Sequence, residues 1–405
     1  MKLALNIEWV GARRGGAEKY AGIVARSLHE AGHEVHVFAR GVDAGELPPG
    51  VAFRLVESRK IPCLGFLRAF RFAAASQQAL ERERFDLIVG FNKTWCQDIY
   101  LAVAGPQQAA VEHSLARFQS PWRRRVHAWG KLFSLKQWVF KLIERKQFAS
   151  RTRAPHVIAP SRLTARHFHE VHDLPQQNMS VVYNGITRDR ATLDAAHKRE
   201  EFRREMRLSE DDVALLFTAR NYELKGLEPL LQAFQKVAQD RPRARLMVCG
   251  CRRDAAFRRR AAQLGLTRQV RFLGFVDDVA RTFLGCDAFV MPTFYDPCSL
   301  VVPEAMQWGL PVITTECNGA AELIRPGHDG FVVATPWHTD ELAEAMARLI
   351  DDGGLRRKMS ANARRSAENF TMETRLAELL AVLERRCERA APTEPRPATN
   401  ATRAA

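Results

Sequence analysis

Two α/β domains, each built on a parallel sheet, are the architecture predicted by this chain, and three observations lead there. Its 405 residues are too many for one ordinary core and suit two domains. Short apolar runs alternate with helix-length segments through both halves, the pattern of strand–helix–strand crossovers in parallel sheets. Several of those runs end in polar or glycine-bearing loops, as strands do where they meet a ligand crevice.

The elements follow in order along the chain. Leu3 to Ile7 reads as a strand rather than part of a secretory leader, and Ala17 to Ala31 as a helix closed by Gly32. Val35 to Ala39, Asp86 to Gly90 and the strand-like Ile99 to Ala104 come next. His156 to Ala159 is a strand ending at Pro160-Ser161, where Ser161 can cap the helix that begins at Arg162. Met179 to Tyr183 closes the first half, and Asn184-Gly185-Ile186 is a turn. Residues 187–211 are charged and poor in β-branched side chains, which suits a helical linker. Val213 to Ala219, Arg245 to Cys249, Val270 to Leu273, Ala288 to Met291 and Val312 to Thr315 are the strands of the second half. Met372 to Arg386 is a terminal amphipathic helix. The stretch 390–405, rich in Pro, Ala and Thr, is predicted to be disordered. The expected boundaries are therefore 1–187, 188–369, 370–389 and 390–405, with a cleft between the first two domains.

Composition narrows the class. Hydrophobic content of 46% and 26% charged residues are ordinary for a globular protein. No apolar run is long enough to span a bilayer, so the chain is expected to stay in the cytoplasm. The eight cysteines are scattered singly apart from Cys249-Gly250-Cys251, and their spacing does not suit zinc. Reduced, buried thiols are expected.

Phe294 to Met306 is the most informative stretch. Asp296 and Glu304 stand eight residues apart in it, between the runs Ala288–Met291 and Val312–Thr315. Asp296 should lie in the crevice and Glu304 on the helix that leaves it. Two such carboxylates can grip sugar hydroxyls, bind a metal or do acid/base work. Arg220 and Lys225 follow the run Val213–Ala219 just before a helix; a planar fork beside a point charge suits a diphosphate, against a plain reading as two solvated cations. Gly15-Gly16 follows the first strand and lets backbone N–H groups approach a phosphate or sugar, although the spacing is not that of a dinucleotide fingerprint. Cations for a diphosphate together with carboxylates for hydroxyls describe a nucleotide sugar.

In this order the motifs resemble the family 4 retaining glycosyltransferases. Asp296 to Glu304 is similar to the E-x7-E motif, with Asp for the first Glu. Arg220 with Lys225-Gly226 resembles the basic pair, Gly15-Gly16 the glycine loop, Asn184-Gly185-Ile186 the turn before the linker, and Phe370-Thr371-Met372-Glu373 the approach to the last helix. Val89 to Lys93, with Asp98-Ile99-Tyr100, resembles the lipopolysaccharide core glucosyltransferase I branch. The resemblance implies the GT-B fold, two Rossmann-like domains facing across a cleft, with the last helix crossing back to the first. It implies a set of roles as well: Glu304 on the ribose, Asp296 on the transferred sugar, Arg220 and Lys225 on the diphosphate, and Gly15, Gly16, Ser299 and Leu300 completing the donor site. Asn92, Lys93 and His113 are candidate acceptor contacts, although a lone histidine is more often structural. The implied donor is UDP-glucose, with no metal or other cofactor, and the implied acceptor is the heptose region of a lipopolysaccharide core; a capsule or exopolysaccharide lipid is the alternative.

The net charge of +15 is unevenly placed. From 117 to 153 eleven Lys/Arg face one acid, Glu144, a local balance of +10. Trp122, Val126, Trp129, Phe133 and Phe140 fall near one stripe at helical spacing. Cations with Trp and Phe on such a helix favour an anionic membrane surface, on the cytoplasmic face of the inner membrane if the resemblance holds. A helix packed on the first domain, or a non-catalytic nucleic-acid binder that stacks bases on these rings, are the other readings.

Overall fold

In the computed structural model, which describes residues 1–11, 16–57, 65–91, 93–149, 154–187 and 194–390, the first half forms a seven-stranded parallel sheet. Its strands are β1 (Lys2–Asn6), β2 (Glu34–Ala39), β3 (Ala52–Leu55), β4 (Leu87–Phe91), β5 (Ile99–Leu101), β6 (His156–Ala159) and β7 (Met179–Val181), in the order β3-β2-β1-β4-β5-β6-β7. The second half forms a six-stranded sheet from β8 (Val213–Thr218), β9 (Ala244–Cys249), β10 (Val270–Gly274), β11 (Ala288–Met291), β12 (Val312–Thr315) and β13 (Gly330–Val333), in the order β10-β9-β8-β11-β12-β13. The fold is α/β, two Rossmann-like domains each built on a parallel sheet.

Both sheets are wound outward from the middle, and the direction reverses between β1 and β4 in the first and between β8 and β11 in the second. Ligands in open parallel sheets sit beyond the strand ends at such reversals. The loops singled out in the sequence follow these four strands: Gly16 after β1, Lys93 after β4, Arg220 and Lys225 after β8, and Asp296 after β11.

The central strands were legible because burial on both faces demands continuous apolar runs; the first five residues of β8 are all buried. The edge strands β3 and β13 were not expected. No residue of β3 is fully buried, and β13 buries only its two ends, so neither carries an unbroken apolar run.

The stretch 187–211 holds α7 (Ala195–Glu205), which packs on the second domain instead of hanging between the two. Phe202 enters the second core, and Arg199 and Arg203 hold Asp287 at 2.6 and 3.2 Å. The terminal helix α14 (Met372–Ala390) returns to the first domain, where Leu376, Leu379, Val382 and Leu383 share a core with Leu3, Leu5 and Val24. The other helices used below are α1 (Gly16–Glu30), α3 (Gln107–Leu115), α4 (Pro121–Leu132), α5 (Leu135–Phe148), α6 (Arg162–His172), α8 (Leu227–Ala238) and α11 (Val301–Gln307).

One correction concerns the basic segment. Its stripe does not lie on one helix: the chain breaks at Phe133-Ser134 into α4 and α5. Helix α5 packs on the domain through Val139, Ile143 and Phe148, while α4 buries none of its residues. Among the described residues no helix is long and apolar enough to cross a membrane.

Candidate active site

Gly226 brings the first loop of the site into place. It caps α8 in the left-handed region at φ +79°, and an added Cβ would lie 1.8 Å from the Pro292 carbonyl oxygen. Only glycine accepts both conditions, so the β8–α8 loop can press against the loop after β11. Lys225 then reaches across it. Its Nζ lies 2.5 Å from Asp296 Oδ2 and donates to the Tyr295 carbonyl at 3.2 Å. The two side chains are 19% and 15% exposed, so each charge is largely out of water and compensated by the other. Arg220, one residue beyond Ala219, is exposed.

The Asp296 loop is pinned through its backbone. Asp296 N–H donates to the Cys317 carbonyl at 3.0 Å, and Gly319 N–H donates to the Asp296 carbonyl at 2.8 Å. Cys298 N–H donates to Asp296 Oδ1 at 3.2 Å. Buried Asn318 accepts from Ser299 N–H and Ala320 N–H at 3.3 and 3.1 Å. Ser299 thus contributes its N–H to the loop's own framework.

Leu300 stands at the N-cap of α11, which puts Pro303 at the third helical position. The first turn leaves its N–H groups unpaired in any helix, so proline costs no hydrogen bond there. Glu304 lies in the same turn. It lines a small cavity between the domains together with Leu300, Lys19 and Tyr20 of α1, and Ile186. Lys225 and Asp296 are thus in contact, and Glu304 faces the seam from the next helix.

On the first domain, Lys93 Nζ is 3.5 Å from Glu144 Oε2 and 5.3 Å from the centre of the Phe140 ring. Burial lowers the Lys93 pKa, and Glu144 offsets only part of that. Burial also opposes ionisation of Glu144, but His172 at 2.7 Å, Lys93 and the Gln107 N–H together hold its pKa below the usual carboxylate value. The one acid of the basic segment therefore anchors α5 to the domain. Beside it opens a cavity of about 380 Å³ lined by Lys93, Lys136, Phe140, Arg68, Glu8 and Glu18.

His113 does not join that cavity. Its ring stacks on Tyr295 at 5.0 Å and 18°, bonds to the Phe294 backbone, and lies 5.1 Å from the ring of His167. Burial lowers the pKa of His113 and, with the neighbouring His113, takes His167 down to about 4. The pair is thus a neutral aromatic contact against the Asp296 loop. Gly15, Asn92 and the stretch 391–405 lie outside the described residues. Reading the sequence missed Tyr295, Asn318 and Glu322, none of which sits in a periodic or charged pattern.

Comparison with known proteins bears on family and fold. A model described as Glycosyltransferase Family 4 matches residues 14–190, and one described as Glycosyl transferases group 1 matches residues 198–366. An uncharacterized glycosyltransferase of Methanocaldococcus jannaschii is 27% identical over 92% of this chain and 97% of its own length. The lipopolysaccharide glucosyltransferase WaaG of Escherichia coli is 24% identical over 87% of this chain and 91% of its own length. A crystal structure of WaaG superposes with a TM-score of 0.74 at 21% identity, covering 94% of this chain and 99% of that one. Anabaena HepE in complex with UDP-glucose superposes with a TM-score of 0.68 at 18% identity, over 95% and 100%. Two matched models that divide the chain between its two sheets, with basic and acidic loops at the reversal of the second, lead to one conclusion: the chain belongs to the family 4 glycosyltransferases, with the GT-B fold.

Proposed function

We propose that the protein is a retaining, metal-independent hexosyltransferase that moves glucose from UDP-glucose to the heptose region of a lipopolysaccharide core. The observation that carries this reading is the Lys225–Asp296 contact at the reversal of the second sheet, where a cation for the leaving diphosphate adjoins a carboxylate for sugar hydroxyls. WaaG is named a lipopolysaccharide glucosyltransferase, and HepE was crystallised with UDP-glucose, which supports donor and acceptor alike. Another glycolipid, or a capsule or exopolysaccharide intermediate, is the second acceptor class.

In this reaction the bond from the anomeric carbon to the diphosphate oxygen breaks, and the nucleoside diphosphate leaves with the electron pair. The sugar passes through an oxocarbenium-like state. The acceptor hydroxyl attacks from the face the diphosphate leaves and gives its proton to the departing phosphate, so configuration is retained without a protein base. Arg220 and Lys225 stabilise the charge that grows on the phosphate. The first-domain cavity beside Lys93 is the proposed acceptor site.

The reading places the enzyme on an anionic membrane at the cytoplasmic face. Trp122, Trp129 and Phe133 are 72%, 68% and 75% exposed, with Trp138 at 53%, amid Arg123, Arg124, Arg125 and Lys131. An exposed apolar stripe beside cations suits a lipid interface, where each Lys or Arg contributes about 1 kcal/mol. Helix α5 carries Trp138 toward solvent and Phe140 into the acceptor cavity, so one helix can hold both the membrane and the acceptor head.

Flotation with anionic vesicles should recover the protein, with recovery falling as salt rises and lost in a Trp129→Ser/Phe133→Ser variant. Equal recovery on neutral vesicles at high salt contradicts the electrostatic docking. In the same assay, UDP-glucose and a heptose-terminated core lipid should give a glucosylated product with the donor's anomeric configuration. Transfer solely from a different nucleotide sugar, or with inversion, overturns the reaction.

A further inference from the structure

We propose that Ser161, Thr164 and Glu322 form a clamp between the lobes and act as positioning residues that set the Asp296 loop for transfer. What the clamp positions rests on the donor reading above; the contact itself is independent of it.

Ser161 and Thr164 open α6 on the first lobe, and both are fully buried. Ser161 Oγ caps the helix by accepting from Thr164 N–H at 3.1 Å, and it donates to the Pro297 carbonyl of the second lobe at 2.5 Å. Thr164 Oγ1 donates to the same carbonyl at 3.1 Å. One residue further, the Cys298 carbonyl accepts from Asn184 Nδ2 at 3.0 Å. Pro297 and Cys298 directly follow Asp296, so the backbone that aims the sugar-binding carboxylate is held by side chains of the opposite lobe.

Glu322 completes the contact from the other direction. It lies in the turn Gly319–Leu323 of the second lobe, and its two carboxylate oxygens accept from Arg162 N–H at 2.9 Å and Leu163 N–H at 2.7 Å. Those N–H groups are left unpaired by the first turn of α6 and lie at the positive end of its dipole, where a carboxylate is favoured. The Tyr183 hydroxyl adds a third bond to Glu322 at 2.8 Å. Gly319 sits in the seam, where an added Cβ would come within 1.9 Å of the Pro297 carbonyl oxygen and 2.3 Å of Ser161 Oγ.

When the lobes part, the Pro297 and Cys298 carbonyls lose these donors and the α6 N–H groups lose their acceptor. The Asp296 loop is therefore fully held in the closed state alone. Lobe closure that completes a catalytic site changes turnover more than the binding of a ligand held by one lobe.

The test uses the full-length protein and two variants that leave the second-lobe backbone around Asp296 untouched, Thr164→Val/Glu322→Gln and Thr164→Val/Glu322→Ala. Small-angle scattering without substrate should show a larger radius of gyration for both, at unchanged helix content. Turnover should fall about tenfold or more, while UDP affinity by calorimetry stays within about threefold, because the side chains proposed to grip the diphosphate and ribose, Arg220, Lys225 and Glu304, all stand on the second lobe. Restoring Thr164 alone should recover part of the rate. Unchanged radius together with unchanged turnover overturns the clamp, and so does a loss that falls on UDP affinity instead of turnover. If the wild type transfers nothing from any nucleotide sugar, the donor reading fails, and the scattering comparison alone decides the clamp: expansion supports it and an unchanged radius overturns it.

Discussion

Replacing Lys225 with alanine is expected to lower transfer roughly a hundredfold to thousandfold, or about 3–4 kcal/mol of barrier. Lys225 is aimed in advance by Gly226 and by its bonds to Asp296 Oδ2 and the Tyr295 carbonyl, so it need not reorganise as charge builds on the leaving phosphate. A donor fixed before the reaction starts is worth most where charge develops, which places the loss mainly in kcat. Lys225→Arg should restore little, because the planar fork is larger and the Asp296 loop is pinned by its own backbone bonds. Initial-rate measurements with UDP-glucose check this. Turnover within threefold of the wild type removes Lys225 from the leaving-group role.

Asp296→Ala is expected to cost about one to two powers of ten in rate, since it strips the proposed sugar contact and leaves the largely buried Lys225 ammonium without its counter-charge. Two effects are combined in that variant, and Asp296→Asn separates them by keeping shape while removing charge. The resemblance to the E-x7-E motif makes Asp296→Glu the informative third member. Glu is one methylene longer, and the loop is fixed at Asp296 N–H and C=O, so the extra length must be taken up toward the cleft. About a tenth or more of the wild-type rate should survive in that variant. A dead Glu variant beside an active Ala variant contradicts a sugar-binding role at this position. Thermal shift with UDP-glucose, which raises the melting temperature of any variant that still binds, separates lost binding from lost chemistry.

The legible parts of the molecule were those fixed by local pattern. Strands β1, β4, β8 and β11 are buried on both faces and read as apolar runs, and the polar residues just beyond them follow from the rule for sheet reversals. Lys225 and Asp296 are legible by that rule, each from its own loop. The edge strands β3 and β13 escaped because one-sided burial leaves no run to see. The break at Phe133-Ser134 escaped because Trp122, Trp129 and Phe133 keep helical spacing up to it, and neither glycine nor proline marks the stop. His113 follows β5 in the first domain, yet its ring lies on Tyr295 of the second. Contacts across the cleft carry no signature in either segment alone. Glu322 is the extreme case, since two of its partners are main-chain N–H groups that any residue but proline at 162 and 163 would supply.

The most direct measurement is a structure with UDP-glucose bound. The diphosphate should lie within hydrogen-bond distance of Lys225 and Arg220, the hexose hydroxyls on Asp296, and the ribose hydroxyls on Glu304 in the seam beside Tyr20. A nucleotide sugar seated away from the β8–β11 reversal, with those four side chains making no contact to it, would contradict the proposed reaction site.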